Sequence, residues 1–229
     1  MFTLAIDTST TTAGCVLLEE EDIRAEIIIN LGLNHSATLL PSINHLIGLA
    51  GMKMMDIDLY ACTVGPGSFT GLRIGASTVK GFAMATGKPA VGVSALDALA
   101  FNITNSSMLI CPMLDAKKKQ VYTALYRANH QNHIERVSAE KAIEVEKMLS
   151  EIHEDCIFFG DGASVYRDAI KEALPDHAYF TLPVHQHIRA ACVGLLGIRQ
   201  FKTGNVLDLF NFTPRYLRAS EAEVKIQKE

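Results

Sequence analysis

The order of apolar segments in the first hundred residues constrains the fold more than any other feature of this chain. Three short apolar segments, which begin at Phe2, Ala13 and Ile23, follow one another at hairpin spacing with polar turns between them. They predict three antiparallel strands. Apolar residues then recur at helical spacing from Leu39 to Ala50, and strand and helix patterns alternate from there to about residue 103. This order limits the fold to an α/β domain with a mixed sheet.

The second half of the chain repeats this architecture in part. The polar run NITNSS ends the first unit. Strand patterns follow at 108–115, 120–127, 133–137 and 156–160. Helices are predicted at 141–151, 163–174 and 188–202. The order in the first unit is the pattern of a ribonuclease-H-like domain, and the second half repeats it in part. We therefore predict lobes at residues 1–103 and 104–187, and a C-terminal segment, residues 188–229, that contains the last helix and a charged, frayed tail at 219–229.

The charge and cysteine content exclude several functional classes. The formal net charge is −4, whereas a surface built mainly to bind nucleic acid is usually strongly basic. The five cysteines are far apart and form no C-x-x-C motif, so we expect buried free thiols in a reducing compartment. The N-terminus lacks the charge pattern of a signal peptide, and no apolar run approaches the ~20 residues that span a bilayer. We expect a cytoplasmic protein that does not bind a membrane.

The stretch VGPGSFTGLRIGAS, residues 64–77, has the glycine content of a phosphate-binding loop. It contains neither G-x-x-x-x-G-K-[ST] nor G-x-G-x-x-G, so both standard phosphate-binding motifs are absent. The stretch instead predicts a strand end, a tight Gly-Pro-Gly turn and a helix capped by Ser68 or Thr70. The free N–H groups at the start of that helix are an alternative site for an anion, with Arg73 in the first turn.

Gly71 and Gly75 lie inside this predicted helix and share a face with Phe82. A glycine in a helix interior costs about 1 kcal/mol relative to alanine, so we expect close approach of another element to offset the cost. Two interpretations stay open at this point. The glycines pack against an element of the same chain, or they pack against a partner chain.

Asp7, Thr8 and Ser9 are the candidate nucleotide-binding residues. They end the first strand and begin a hydroxyl-rich turn. In phosphotransferases with duplicated ribonuclease-H-like domains, the equivalent aspartate holds Mg²⁺ and the turn meets phosphate. The alternative, which we favour, is a hairpin whose aspartate and threonine side chains bind the backbone of the turn.

Lysines and histidines each have a simple and a functional interpretation. Lys117, Lys118 and Lys119 predict a charged hairpin tip, with a nucleic-acid-binding patch as the alternative. The eight histidines include no pair at i and i+4 on a predicted helix, so we predict no metal site.

Six motifs in this sequence resemble one family along nearly the whole chain. They are LAIDTST (4–10), GPGSFTGLRIG (65–75), GKPAVGVSAL (87–96), DAKKKQVY (115–122), GDGA (160–163) and PRYLR (214–218). In this order they resemble the TsaB family, also called YeaZ, whose members are subunits for bacterial tRNA threonylcarbamoyladenosine biosynthesis. The resemblance implies the actin/Hsp70-type ATPase fold (ASKHA), with two ribonuclease-H-like lobes and a last helix that returns to the first lobe.

The resemblance also implies a non-catalytic role. The TsaB family is similar to TsaD, which transfers threonylcarbamoyl to N6 of the adenosine beside the anticodon of tRNA. In TsaD the segment equivalent to GVSALDAL carries two histidines that hold the metal. The matching residues here are Ala95 and Leu99, which cannot bind a metal. The implied function is therefore to bind and support a TsaD-type subunit, together with the ATPase TsaE.

The implied partner interface lies on the helices of the first lobe. We predict that it contains Leu39, Ile43, Leu46, Gly71, Arg73, Gly75, Val79 and Phe82. We expect tRNA contact only indirectly, through the complex, and a homodimer of the isolated chain. We expect no cofactor bound by this chain alone, with a nucleotide shared at the complex interface as an open alternative. The alternative function is a small-molecule kinase that uses Asp7.

Overall fold

Two mixed β-sheets form the two lobes of the protein. The computed structural model describes residues 1–32, 34–103, 106–129 and 133–218. The strands of the first lobe are β1 (Phe2–Asp7), β2 (Ala13–Glu19), β3 (Asp22–Ile29), β4 (Leu59–Gly65) and β5 (Ala90–Ser94). Their order in the sheet is β3-β2-β1-β4-β5, with β1 antiparallel to β2 and parallel to β4. The predicted antiparallel hairpins followed by parallel strands are confirmed.

Two amphipathic helices, the first two in the lobe, cover one face of this sheet. The helices of the first lobe are α1 (His35–Leu49), α2 (Phe69–Thr86) and α3 (Ala95–Ala100). The apolar stripe of α1 packs with Val79 and Ala83 of α2 on the β1 side chains Leu4 and Ile6. Ser68 caps α2 by accepting a hydrogen bond from the N–H of Gly71, and Ser94 caps α3 in the same way. The α1–α2 pair is therefore fixed to the sheet by its own hydrophobic faces.

The second lobe has a seven-stranded sheet and short helices. Its strands are β6 (Leu109–Asp115), β7 (Gln120–Thr123), β8 (Tyr126–Ala128), β9 (Ile134–Arg136), β10 (Lys141–Glu144), β11 (Cys156–Phe159) and β12 (Ala178–Phe180). Its helices are α4 (Val145–Leu149), α5 (Asp161–Val165) and α6 (Arg167–Ala173). Strand β6 pairs in parallel with β11 and antiparallel with β7.

Two sequence predictions in this lobe were wrong in detail. The helix predicted at 141–151 is a strand in its first part, Lys141–Glu144, because this segment pairs with Gln120–Thr123. The helix predicted at 163–174 is two short helices, α5 and α6, with non-helical backbone at Tyr166. In the first case the pairing of distant strands overrides local helix propensity.

A last helix, α7 (Ala190–Lys202), covers the other face of the first sheet. It fits closely because it carries glycines where the sheet side chains project. A Cβ at Gly197 would lie 2.8 Å from the Cβ of Ala61, and one at Gly194 would overlap Leu18. The tail that we predicted at 219–229 lies outside the described residues. None of the helices in the described ranges has the length and hydropathy needed to cross a membrane.

Candidate functional site

The turn after β1 packs directly on the start of α2. The hydroxyl of Thr8 donates to the carbonyl oxygen of Gly71 at 2.7 Å, and the N–H of Ser68 donates to the carbonyl oxygen of Ser9 at 2.7 Å. A Cβ at Gly71 would overlap the carbonyl of Thr8, and one at Gly75 would lie 2.6 Å from the Thr8 hydroxyl oxygen. Both glycines therefore allow the turn after β1 to approach the backbone of α2 closely. This contact lies within the chain, as in the first of the two interpretations of the sequence.

Asp7 is enclosed beneath this turn and is 1% exposed. Its Oδ1 accepts hydrogen bonds from the Ser9 N–H at 3.1 Å, from the Ser9 hydroxyl at 2.6 Å and from the Thr63 hydroxyl at 2.6 Å. Its Oδ2 has no hydrogen-bond partner. Burial raises the pKa of Asp7, and the hydrogen bonds from Ser9 and Thr63 oppose that rise. Asp7 therefore organises the turn from inside the protein.

A cleft of about 510 Å³ separates the two lobes above this turn. The first lobe lines it with hydroxyl groups, and the second lobe contributes two carboxylates and a lysine. The polar residues that line it are Ser9, Thr10, Thr11, Asn34, His35, Ser68, Thr70, Asp115, Lys117, Tyr122 and Asp161. The His35 side chain contacts the Thr10 carbonyl oxygen through Nε2 at 2.7 Å. The cleft has the size and polarity of a small-molecule site.

The segment after α7, residues 205–218, runs from the edge of the first sheet to the second lobe, where Arg218 contacts Ala116, and we call it the C-terminal strap. The N–H of Leu207 donates to the Ala90 carbonyl at 2.8 Å, and the N–H of Arg215 donates to the Val64 carbonyl at 2.7 Å. The Tyr216 ring stacks on Phe69 of α2 with 4.1 Å between the ring centroids. The strap therefore extends the edge of the first sheet and reaches the start of α2.

Glu140 joins the strap to both lobes. Its side chain is 3% exposed, and it accepts hydrogen bonds from the Ser94 hydroxyl in the first lobe and from Arg215 in the strap. It also forms an ion pair with Arg136 of the second lobe at 2.7 Å. A buried carboxylate needs partners for its charge. The partners of Glu140 come from the first lobe, the second lobe and the strap, so this cluster joins three parts of the chain.

The predicted partner-interface residues occupy three kinds of environment. The apolar side chains in the core are Leu39, Ile43, Leu46 and Val79. Gly71 and Gly75 face Thr8, and Phe82 is half-buried beside Tyr60. Arg73 is exposed; its guanidinium lies 4.1 Å from the ring centroid of Phe69, and its Nε donates to the Tyr216 hydroxyl. The buried members hold the helices on the sheet, so a partner would meet the residues beside them.

The outer faces of α1 and α2 contain two glycines that sequence reasoning missed. Gly48 and Gly81 are exposed, and apart from the backbone of its own helix no described atom lies within 4 Å of the position that a Cβ would take at either residue. Leu40 and Met84 are exposed on the same helices. The signal at Gly81 was available, because this residue lies in the interior of α2, where glycine is costly, whereas Gly48 is next to the last residue of α1.

Helix α3, which carries the two positions where the resemblance expects metal-binding histidines, packs in an apolar core. Ala95 and Leu99 are both fully buried in the core that α3 and α7 share with the first sheet. Among the described residues, no three His, Cys, Asp or Glu side chains come together as metal ligands. All five cysteines are buried free thiols, as predicted, and burial raises the pKa of Cys15 and of Cys62 to about 12.

Two ribonuclease-H-like lobes that enclose a cleft define a protein of the actin/Hsp70-type ATPase fold, as predicted. A solved structure of YeaZ from Pseudomonas aeruginosa superposes with a TM-score of 0.77 at 26% identity, covering 94% of this chain and 99% of that one. The ethanolamine utilization protein EutJ from Carboxydothermus hydrogenoformans, at 10% identity, shares the fold with a TM-score of 0.52, over 86% of this chain and 90% of that chain.

Sequence comparison gives the family. The model described as TsaD, tRNA N6-adenosine threonylcarbamoyltransferase, matches residues 26–226. The tRNA threonylcarbamoyladenosine biosynthesis protein TsaB of Bacillus subtilis (strain 168) is 33% identical over 228 residues, 98% of this chain and 97% of that protein. The Escherichia coli (strain K12) TsaB is 27% identical over 97% of each chain. The chain belongs to the TsaB (YeaZ) family.

Proposed function

We propose that this chain is a non-catalytic subunit for threonylcarbamoylation of N6 of the adenosine next to the anticodon in tRNA. It binds and supports a TsaD-type transferase subunit, and a TsaE-type ATPase joins them. The observation that carries the proposal is the match to the Bacillus subtilis TsaB, 33% identical over 98% of this chain. That relative is named for tRNA threonylcarbamoyladenosine biosynthesis.

The packing of α3 supports the non-catalytic part of this proposal. Ala95 and Leu99 stand where the resemblance to TsaD expects metal-binding histidines, and both are enclosed in an apolar core. Hydrocarbon side chains provide no donor atom for a metal ion. The transferase chemistry therefore belongs to the partner subunit.

The exposed faces of α1 and α2 are the surface that we assign to the transferase subunit. Gly48 and Gly81 have open space where a Cβ would stand, and among the described residues no contact offsets the cost of Gly81 in the interior of α2. Glycine allows a helix of another chain to approach its backbone closely, and Leu40 and Met84 supply exposed apolar surface beside it. This surface replaces the buried residues of the sequence prediction as the contact itself.

We propose that the same surface also forms a homodimer of the isolated chain. A helix face that is adapted to a similar fold can pair with its own copy when the partner is missing, and such a contact has two-fold symmetry. Sedimentation of the purified chain tests this, since adding the transferase subunit should convert the homodimer to a mixed complex. A homodimer that persists beside the complex would place the two contacts on different surfaces.

Depletion of this chain tests the proposed function. We expect nucleoside mass spectrometry of total tRNA to show loss of threonylcarbamoyladenosine, and we expect a plasmid copy of the chain to restore it. In a second test the plasmid copy carries the D7N substitution. We assign Asp7 a role in the structure of the turn, so we expect this variant to restore the modification fully. Normal modification after depletion would overturn the proposal.

The cleft between the lobes favours a second candidate, a small-molecule kinase or another nucleotide-dependent enzyme. Its volume of about 510 Å³ and its hydroxyl lining suit a nucleotide. Against it, Asp7 is enclosed and its Oδ1 is occupied by Ser9 and Thr63. Calorimetry with millimolar ATP separates the alternatives. Binding to the isolated chain supports the kinase, whereas binding only to the complex supports a nucleotide shared at its interface.

A further inference from the structure

The lysines at the mouth of the cleft have an unusual backbone conformation. Lys117, Lys118 and Lys119 have φ values of 62°, 54° and 60°, so three consecutive residues lie in the left-handed region. Lysine has no side-chain group that favours this region, which glycine or asparagine occupies at lower cost. In the described residues, the only other non-glycine residue with a positive φ is Glu20.

Hydrogen bonds from the second lobe hold this turn in place. The Lys117 N–H donates to Asp115 Oδ1 at 2.9 Å, and the Gln120 N–H donates to the Lys117 carbonyl at 3.0 Å. The Asp115 N–H in turn donates to Asp161 Oδ1 at 3.0 Å. These bonds involve the backbone of the turn. They would form equally well with glycine in the turn, so the geometry of the turn does not itself require lysine.

The three lysine side chains of the turn are exposed to solvent, and the carboxylates of Asp115 and Asp161 lie beneath the turn. All three lysines are exposed, and the Lys117 side chain is 80% exposed although its Nζ lies 2.6 Å from Asp115 Oδ2. An ammonium group has three donors, so this contact leaves Lys117 able to bind a further anion. Arg218 of the strap adds a fourth cation, because its guanidinium donates to the Ala116 carbonyl at 3.0 Å.

Four cationic side chains lie at one rim of the cleft, although the net charge of the chain is −4. An anion drawn to this chain must therefore respond to a local cluster and not to the overall charge. A polyanion can meet all four cations at once, whereas a small phosphate compound in the cleft would meet only Lys117, which lines it. The phosphate backbone of a nucleic acid is the polyanion that lysine clusters bind without regard to sequence.

We propose that the turn Lys117–Lys119, with Arg218, contacts the phosphate backbone of tRNA directly. The proposal rests on the proposed function, which brings tRNA to the complex, and it replaces the expectation of purely indirect contact. These residues would position the tRNA and would not select its sequence.

The test is the salt dependence of tRNA binding by the complex of this chain with the TsaD-type subunit. The probe is a fluorescently labelled, unmodified tRNA transcript, titrated between about 50 and 200 mM salt. The test variant is K117Q/K118Q/K119Q. The matched control, K53Q/K147Q/K171Q, removes the same charge from exposed lysines elsewhere. A third variant, K117R/K118R/K119R, retains the charge in the turn.

We expect the slope of log K against log salt to fall by about 2 to 3 for the glutamine turn variant, as three phosphate contacts require. The control and the arginine variant should keep the wild-type slope. Circular dichroism and co-purification with the transferase subunit show whether each variant folds and assembles.

A glutamine turn variant that assembles and keeps the wild-type slope overturns the proposal and leaves the proposed function intact. A folded variant that fails to bind the transferase subunit overturns it as well, because the turn is then a protein contact. If the slope of log K against log salt fell to the same extent in the matched control, the effect would be a general one of charge, and the proposal would also be overturned. Failure of the proposed function is detected separately, by normal modification after depletion.

Discussion

Gly75 of helix α2 lies against Thr8, so closely that a Cβ at Gly75 would be 2.6 Å from the threonine hydroxyl oxygen. This contact joins the start of the α2 helix to the turn after the first strand, across 67 positions of sequence. The Thr8 hydroxyl is already committed to the Gly71 carbonyl, so it has little freedom to move away.

A G75V variant should therefore be destabilised by about 1 to 3 kcal/mol, as expected for overpacking in a well-packed site. Urea unfolding measures the change. G81A is the matched control in the same helix, and it should be stabilised by up to about 1 kcal/mol, because its Cβ meets open space. Equal effects of the two substitutions would contradict the packing that we describe.

A G81Q variant should weaken co-purification with the transferase subunit while it leaves the chain folded. The longer side chain has room in the isolated chain but would hold a partner helix away from the α2 backbone. The control is K171Q, on the surface of the second lobe. Wild-type assembly of G81Q would move the interface away from this face of α2.

The pH dependence of stability should contain a contribution from Asp7. Burial raises the pKa of Asp7 above its ordinary value of 3.8, so the folded state binds this proton more tightly than the unfolded state. Its contribution is therefore greatest below pH 3.8 and declines as the pH rises through the folded-state pKa. In D7N, which cannot ionise, urea unfolding should show a smaller decline above about pH 4. Identical pH profiles for D7N and wild type would contradict this.

An R215A variant should loosen the C-terminal strap. It leaves the buried Glu140 carboxylate with Ser94 and Arg136 only, and we expect a loss of about 1 to 3 kcal/mol in the free energy of unfolding. Hydrogen exchange should be faster at the N–H of Leu207. K202A, which breaks an exposed ion pair with Glu21, is the control and should change stability by less than about 1 kcal/mol.

A K119G variant should be more stable than wild type while it binds tRNA less tightly. Left-handed backbone costs roughly 1 to 2 kcal/mol for a residue with a Cβ, and glycine removes that strain but gains disorder in the unfolded chain. A net gain of up to about 1 kcal/mol in urea unfolding is expected. A destabilised K119G would show that the lysine side chain supports the fold.

The sequence was sufficient for the elements that depend on local pattern. The three N-terminal strands and the α1 and α2 helices follow from apolar spacing. A hydroxyl cap on α2 was predicted at Ser68 or Thr70, and the structure has it at Ser68. The burial of Leu39 and Ile43 was also available from that pattern, since the apolar stripe of a helix ordinarily faces its own sheet.

Features that depend on distant contacts could not be predicted in this way. Strand β10, Lys141–Glu144, consists of residues that suit a helix, and only its pairing with Gln120–Thr123 makes it a strand. The Glu140 cluster brings together Ser94 and Arg215, which no spacing rule connects. The left-handed turn at Lys118 could not be predicted either, because lysine has no preference for that conformation.

The position of α7 also has a consequence for synthesis. Leu18, Ala61 and Val91 form part of a sheet face that this late helix covers together with α3, and α7 begins at Ala190. A ribosome therefore delivers every strand of both sheets before it delivers this cover. The first lobe is therefore completed only after the strands of the second lobe have been made, so the nascent chain carries an apolar face that needs protection, for instance by a chaperone, until α7 has emerged.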